Sequence, residues 1–202
     1  MLPPATPYVI ASASLADYTM PSLIVPRLRE RDTAGIISEL SHKLQQEGAV
    51  PDVLPFYQAA LNQELLANSA TERGLAFPHG RLGAIRRVQF ALGRTPAPII
   101  WGAKSSWPVQ LIFLLAVPAT DAACYLQVLA SLAKLAEQPA LLAELRGAAD
   151  AEAMLGVLQQ VRMRPNGIGQ AETDGAHPSL DGTTNPAPRS AVPLDGVKGW
   201  GI

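Results

Sequence analysis

Gly74-Leu75-Ala76-Phe77-Pro78-His79-Gly80-Arg81 is the stretch whose reading decides the architecture of this chain. A short apolar run, read as a buried strand, breaks at a proline and delivers a histidine into a glycine-flanked turn, with an arginine two residues on. Phe77 precedes a proline and is biased to extended geometry. Gly80 is expected to let the backbone turn sharply and to admit another molecule closely. The picture is a sheet that presents one imidazole to a reactant at its rim. Pro-His-Gly also occurs in idle surface turns, so the neighbouring segments must decide.

On the C-terminal side, Val88 to Leu92 alternates as a half-buried strand does, and Ile99-Ile100-Trp101 reads as a second, short one. Val109 to Val117 is continuous and apolar, which predicts a central strand covered on both faces. From Asp121 the period becomes helical. Tyr125, Leu129, Leu132 and Ala136 share a face, Pro139 restarts a helix through Leu141, Leu142 and Leu145, and a last helix runs from about Asp150 through Met154, Leu155 and Leu158 to Val161. On the N-terminal side the fold starts at Leu23-Ile24-Val25. Asp32 or Thr33 caps a helix through Ile36, Ile37, Leu40 and Leu44 that Gly48 ends. His42 lies opposite that apolar stripe and reads as a solvated helix residue. A second helix begins near Asp52, tolerates Pro55 in its first turn, and continues through Phe56, Ala60, Leu61 and Leu65 into the loop before His79. Strands followed by helices mean a layered α/β domain.

Composition sets the outer limits. At 202 residues, 48% hydrophobic and 16% charged, the chain supports one domain with tails. A formal charge of -1 supplies no basic field for nucleic acid or anionic lipid. Cys124 stands alone, which excludes an intrachain disulfide and a thiolate metal cluster and suits a reducing cytoplasm; it reads as a structural thiol. The opening lacks the basic region and apolar run of a secretory signal, and no apolar run reaches the roughly 20 residues that span a bilayer. The expected layout is a Pro/Ala/Ser-rich leader over 1–21, a folded domain over 22–163, and a disordered Pro/Gly/Ser-rich tail over 164–202 that carries His177. The last six residues, Val197 to Ile202, read as a chain end or a docking peptide. Trp101 and Trp107 flank a loop as core packing or as an exposed patch, with packing preferred.

Three separated segments now fall in one order: the Gly-apolar-Ala-apolar-Pro-His-Gly run, the long strand Pro108 to Pro118 ending in Val-Pro, and the leucine-spaced helix Tyr125 to Lys134. From Ser22 to about Val161 the chain resembles the phosphotransferase system (PTS) EIIA type-2 domain, the fructose/mannitol and nitrogen-regulatory IIA family, as a divergent member. The resemblance implies a three-layer α/β/α sandwich with a mixed central sheet. It implies a cytoplasmic phosphoryl carrier whose phosphoacceptor is His79, loaded by the phosphohistidine of an HPr-like carrier. The phosphate passes to a cysteine of a IIB domain or is held as a signal to a regulated target protein. Such a domain spans no membrane, though it docks to a transporter that does, and needs no cofactor, metal or nucleic acid. The alternative is a degenerate IIA-like module that binds its partner without phosphoryl transfer.

The chemistry asks little of the site. A neutral imidazole nitrogen is the nucleophile, and its usual pKa near 6.5 leaves the lone pair available at neutral pH. The other ring nitrogen needs an acceptor, and the phosphoryl oxygens need positive or N–H-rich surroundings. Arg81 is the nearest candidate for the second task, with Arg73 on the other flank of the strand and the backbone N–H groups of Gly80 and Arg81 as a nest. Arg86 and Arg87 begin a strand and face water or a partner. Three departures from the family stand out. Tyr125, with Gln127 two residues on, occupies the position of the family's second histidine; Gln63 replaces the arginine of an Arg-Glu pair; and Gln110 replaces an acidic residue. Tyr125 can donate one hydrogen bond and Gln63 two, but neither brings charge. Tyr125 is therefore expected to aim its hydroxyl at His79.

Overall fold

The computed structural model of the chain describes residues 13–102 and 107–163. Most of the expected leader, the loop 103–106 and the whole expected tail, with His177 and the terminal peptide, lie outside the described residues.

Aspartate starts most of the helices. The side chains of Asp32, Asp52, Asp121 and Asp150 accept the backbone N–H of Gly35, Leu54, Cys124 and Ala153 at 2.9, 3.1, 3.0 and 2.9 Å. These caps open α1 (Thr33–Gln46), α2 (Val53–Leu66), α3 (Ala122–Ala136) and α5 (Ala151–Gln159). Each cap satisfies an otherwise orphaned donor and contributes about 1 kcal/mol. Between α3 and α5, α4 (Pro139–Gly147) begins on a proline, whose missing N–H costs nothing in a first turn. Gly48, at φ 69°, takes the left-handed conformation that releases the chain after α1.

The strands form one mixed sheet. A long antiparallel hairpin, β4 (Gln89–Ile100) with β5 (Pro108–Pro118), is flanked on one side by β1 (Ile24–Val25), parallel to β4. On the other side β2 (Leu75–Ala76) and β3 (His79–Leu82) both run parallel to β5. The expected short strand at Ile99–Trp101 is instead the far end of β4. The register slips between Arg94 and Ile99, where the exposed Pro96 and Pro98 have no N–H for the ladder. The start of β4 is not half-buried either: Phe90, Ala91 and Leu92 are all fully buried, because helices cover both faces of the sheet.

Alternation along β5 builds the two cores. Leu111, Phe113, Leu115 and Val117 pack with Val128, Leu132 and Leu135 of α3, Leu142 and Leu145 of α4, and Met154, Val157 and Leu158 of α5. Ile112, Leu114 and Ala116 point the other way, into Ile36, Ile37, Leu40 and Leu44 of α1 and Phe56 and Ala60 of α2. The result is the α/β/α arrangement with a mixed sheet. On α3 the buried line is centred on Val128, Leu132 and Leu135, and Tyr125, Leu129 and Ala136 pack at its border. Residues 15–18 also fold: a 3-10 turn buries Leu15, whose N–H donates to the Val161 carbonyl at 3.1 Å. Trp101 is fully buried, whereas Trp107 is about half exposed.

Candidate phosphoacceptor site

His79 does not sit in a turn. After the break at Phe77-Pro78, the chain resumes the same line along β5, with Leu75 opposite Leu111 and His79 opposite Leu115. Proline removes one donor from the ladder, so β2 and β3 are two pieces of one edge. Gly80 is extended, and the Phe56 ring fills the space its missing side chain leaves. A Cβ there would lie 2.5 Å from the Phe56 ring, so glycine is required for α2 to pack on the strand.

Strand alternation then sorts the side chains. Gly80 faces α2, while His79 and Arg81 share the opposite face, under α3. The imidazole is half-buried, and its ring centre lies 5.3 Å from that of Tyr125, tilted by 41°. The contact is ring to ring. Among the described residues the Tyr125 hydroxyl makes no hydrogen bond, so in place of the expected hydroxyl bond to His79 the two rings pack against each other. Arg81 is exposed, donates from Nη2 to the Ala119 carbonyl, and lies close enough to Tyr125 to pull its pKa down against the upward push of burial. The structure thus brings His79, Arg81 and Tyr125 together.

Burial lowers the pKa of His79 from its usual 6.5, opposed by the neighbouring Phe77 backbone carbonyl and by the Glu64 carboxylate. The neutral imidazole therefore dominates at neutral pH, with the Phe77 carbonyl of its own strand beside the ring. This is the acceptor the chemistry requires, and the chain supplies it from two residues upstream.

The remaining candidates separate. Arg73 lies beyond the far end of β2, where its carbonyl accepts from Arg146 and its guanidinium meets Glu72 at 3.7 Å. Leu75 and His79 lie opposite Leu111 and Leu115, about 13 Å apart along β5, and Arg73 lies beyond Leu75, which removes it from the site. Gln63 is half-buried and its side chain makes no hydrogen bond among the described residues. Gln110 bonds back to the Thr95 carbonyl at 3.4 Å, also at the far end of β5. Arg86 and Arg87 are exposed in the loop before β4, not on a strand. Because Gln89 pairs with Ala116, that loop lies at the same end of the sheet as Arg81. His42 is exposed and, among the described residues, its ring bonds only the Ser38 carbonyl of its own helix. The Cys124 thiol rests 3.7 Å from the Tyr18 hydroxyl, and burial raises its pKa, as suits an inert thiol.

Sequence reasoning passed over Glu64. It is buried, and its oxygens accept from Trp101 Nε1 at 2.7 Å and from the Ser69 N–H and hydroxyl at 2.8 and 2.7 Å. One signal was available: Phe56, Ala60 and Glu64 fall at i, i+4 and i+8, so the carboxylate occupies an apolar stripe.

Comparison with known proteins agrees with this geometry. The family model described as "Phosphoenolpyruvate-dependent sugar phosphotransferase system, EIIA 2" matches residues 18–161. A nitrogen regulatory protein of Bradyrhizobium diazoefficiens is 32% identical over 149 residues, which is 71% of this chain and 94% of that protein. The crystal structure of nitrogen regulatory protein IIA-Ntr from Neisseria meningitidis superposes with a TM-score of 0.60 at 26% identity, over 71% of this chain and 98% of that one. The mannitol IIA of Escherichia coli, determined in complex with phosphorylated mannitol IIB, shares the fold at a TM-score of 0.60 and 18% identity, over 69% and 95% of the two chains. The match reaches from the 3-10 turn at Tyr18 to the end of α5, and so takes in the sheet, both helical layers and the histidine between them: the chain belongs to the EIIA 2 family of the sugar phosphotransferase system.

Proposed function

We propose that His79 accepts a phosphoryl group from the phosphohistidine of an HPr-like carrier, in the cytoplasm, and passes it to a IIB domain or holds it as a regulatory signal. The observation that carries this reading is the state of the imidazole: half-buried, with its pKa pushed below the usual 6.5 by burial, beside the Phe77 carbonyl, with Arg81 on the same strand face. In the transfer the P–N bond to the carrier breaks as a P–N bond to the free nitrogen of His79 forms. The carrier's imidazole keeps the electron pair, and the proton on His79 stays at the Phe77 carbonyl. Arg81 would meet the phosphoryl oxygens, and Arg86 and Arg87, at the same end of the sheet, would meet an acidic partner surface. The family assignment supports the carrier role, and the naming of the 32% identical relative supports the regulatory branch. The phosphorylated mannitol complex supports a IIB-like partner.

A second reading, a module that binds without accepting phosphate, is favoured by one feature. Tyr125 brings no charge to the position where the family places its second histidine, and Gln63 brings none where it places an arginine. The two readings part in one experiment. After incubation with phosphoenolpyruvate and the two general phosphotransferase proteins, intact-mass analysis should show one acid-labile phosphate that His79→Ala abolishes. No added phosphate on the unmodified chain would establish the binding module instead.

A further inference from the structure

Behind the imidazole a line of hydrogen bonds leads away from the surface. The Phe77 carbonyl lies beside the His79 ring, where it works to raise the ring's pKa, and the Phe77 N–H donates to Ser69 Oγ at 3.0 Å. The Ser69 hydroxyl donates to Glu64 Oε2 at 2.7 Å, and its backbone N–H to Oε1 at 2.8 Å. Trp101 Nε1, fully buried, donates to the same Oε1 at 2.7 Å. A buried carboxylate is costly unless its lone pairs are engaged, and here three donors engage them. The loop residue Ser69 and the strand-end Trp101 are thereby tied to α2, far apart in sequence but joined at one charge. Asn68 adds a second tie, donating to the Trp101 carbonyl at 2.9 Å.

We propose that Glu64, Ser69 and Trp101 are positioning residues for phosphoryl transfer, which hold the Phe77 peptide so that its carbonyl fixes one tautomer of His79 and leaves the other ring nitrogen free to attack. The inference rests on His79 being the phosphoacceptor, and it adds what orients the nucleophile. The serine hydroxyl is the hinge of the arrangement, because it accepts from Phe77 while donating to Glu64, so both of its roles are set by neighbours. As the new P–N bond forms, the imidazole gains positive charge. A carbonyl dipole at one nitrogen, with a fixed carboxylate beyond it, stabilises that charge without reorganising. Among the described residues, the other ionisable groups on the His79 face are Arg81 of β3 and Tyr125 of α3, and neither hydrogen-bonds the ring.

The test reads tautomer and rate together on the full chain. Long-range proton–nitrogen NMR of the imidazole should show a single tautomer in the unmodified protein and a mixture in Ser69→Ala. Initial phosphorylation by the loaded carrier should slow by roughly three- to ten-fold in that variant, the scale of one hydrogen bond. Ser69→Thr, which keeps the hydroxyl, should restore both. Trp101→Phe keeps the ring but releases one tie to Glu64, and should mix the tautomers to a smaller extent. A Ser69→Ala protein that keeps both tautomer and rate overturns the proposal, as does a loss of rate that Ser69→Thr does not rescue. If Ser69→Ala mixes the tautomers while the unmodified chain takes no phosphate, the orienting role stands and the phosphoacceptor reading falls.

Discussion

At the scale of single residues, burial decides when His79 can react. Loss of water lowers its pKa below 6.5, and the Phe77 carbonyl and Glu64 only partly oppose this. The imidazole should therefore titrate below 6.5 in an NMR titration of the ring, with phosphorylation level through neutral pH and falling on the acid side. The linkage has a definite sign. The unfolded chain binds its proton first, so the contribution of His79 to stability is complete above 6.5 and is lost as pH falls toward the lower folded value. Tyr125 supplies part of that burial. Tyr125→Ala should bring the titration of His79 back toward 6.5, whereas Tyr125→Phe, which keeps the ring, should leave it in place. Arg81 tests the electrostatics. Arg81 is exposed and, among the described residues, its guanidinium is hydrogen-bonded only to the Ala119 carbonyl, so Arg81→Ala should leave the thermal unfolding midpoint nearly unchanged. A charged contact of about 1.5–3 kcal/mol would then appear as a roughly ten- to hundred-fold slower transfer in stopped or quenched kinetics.

At the scale of elements, the strand that carries His79 is defined by what presses on it. Gly80→Ala places a methyl group 2.5 Å from the Phe56 ring, inside any tolerable contact. Overpacking of this kind costs about 1–3 kcal/mol, so a lower unfolding midpoint is expected in thermal or urea denaturation, together with weakened contact between α2 and β3. A Gly83→Ala control, with nothing near its added Cβ, should show no such loss. The same glycine marks where sequence reasoning stopped. Asp caps, Pro139, the apolar run of β5 and the helical stripes were legible because each depends on local chemistry. The role of Gly80 was not, because the group that demands it belongs to a helix more than twenty residues earlier. Glu64, Ser69 and Trp101 share that property, and so does the joining of Ile99–Trp101 to β4 across two prolines. Arg73 misled for the same reason. Six residues are close along the chain, but an extended strand carries them to opposite ends of the sheet.

At the scale of the whole described domain, the antiparallel hairpin β4–β5 with parallel strands on either side leaves the end of β3 beside the start of α3. Those two elements bring His79 and Arg81 under Tyr125. The sheet and the two helical layers follow the fold of IIA-Ntr and mannitol IIA. The account stands on one claim, that this imidazole takes the phosphoryl group through the nitrogen not bonded to Phe77. Phosphorus–nitrogen correlation NMR on the chain phosphorylated in vitro tests that claim most directly. The account predicts one P–N coupling, on His79, at the ring nitrogen that carries no proton in the unphosphorylated protein. Coupling at the nitrogen bonded to the Phe77 carbonyl, on His42, or at no imidazole at all would contradict it.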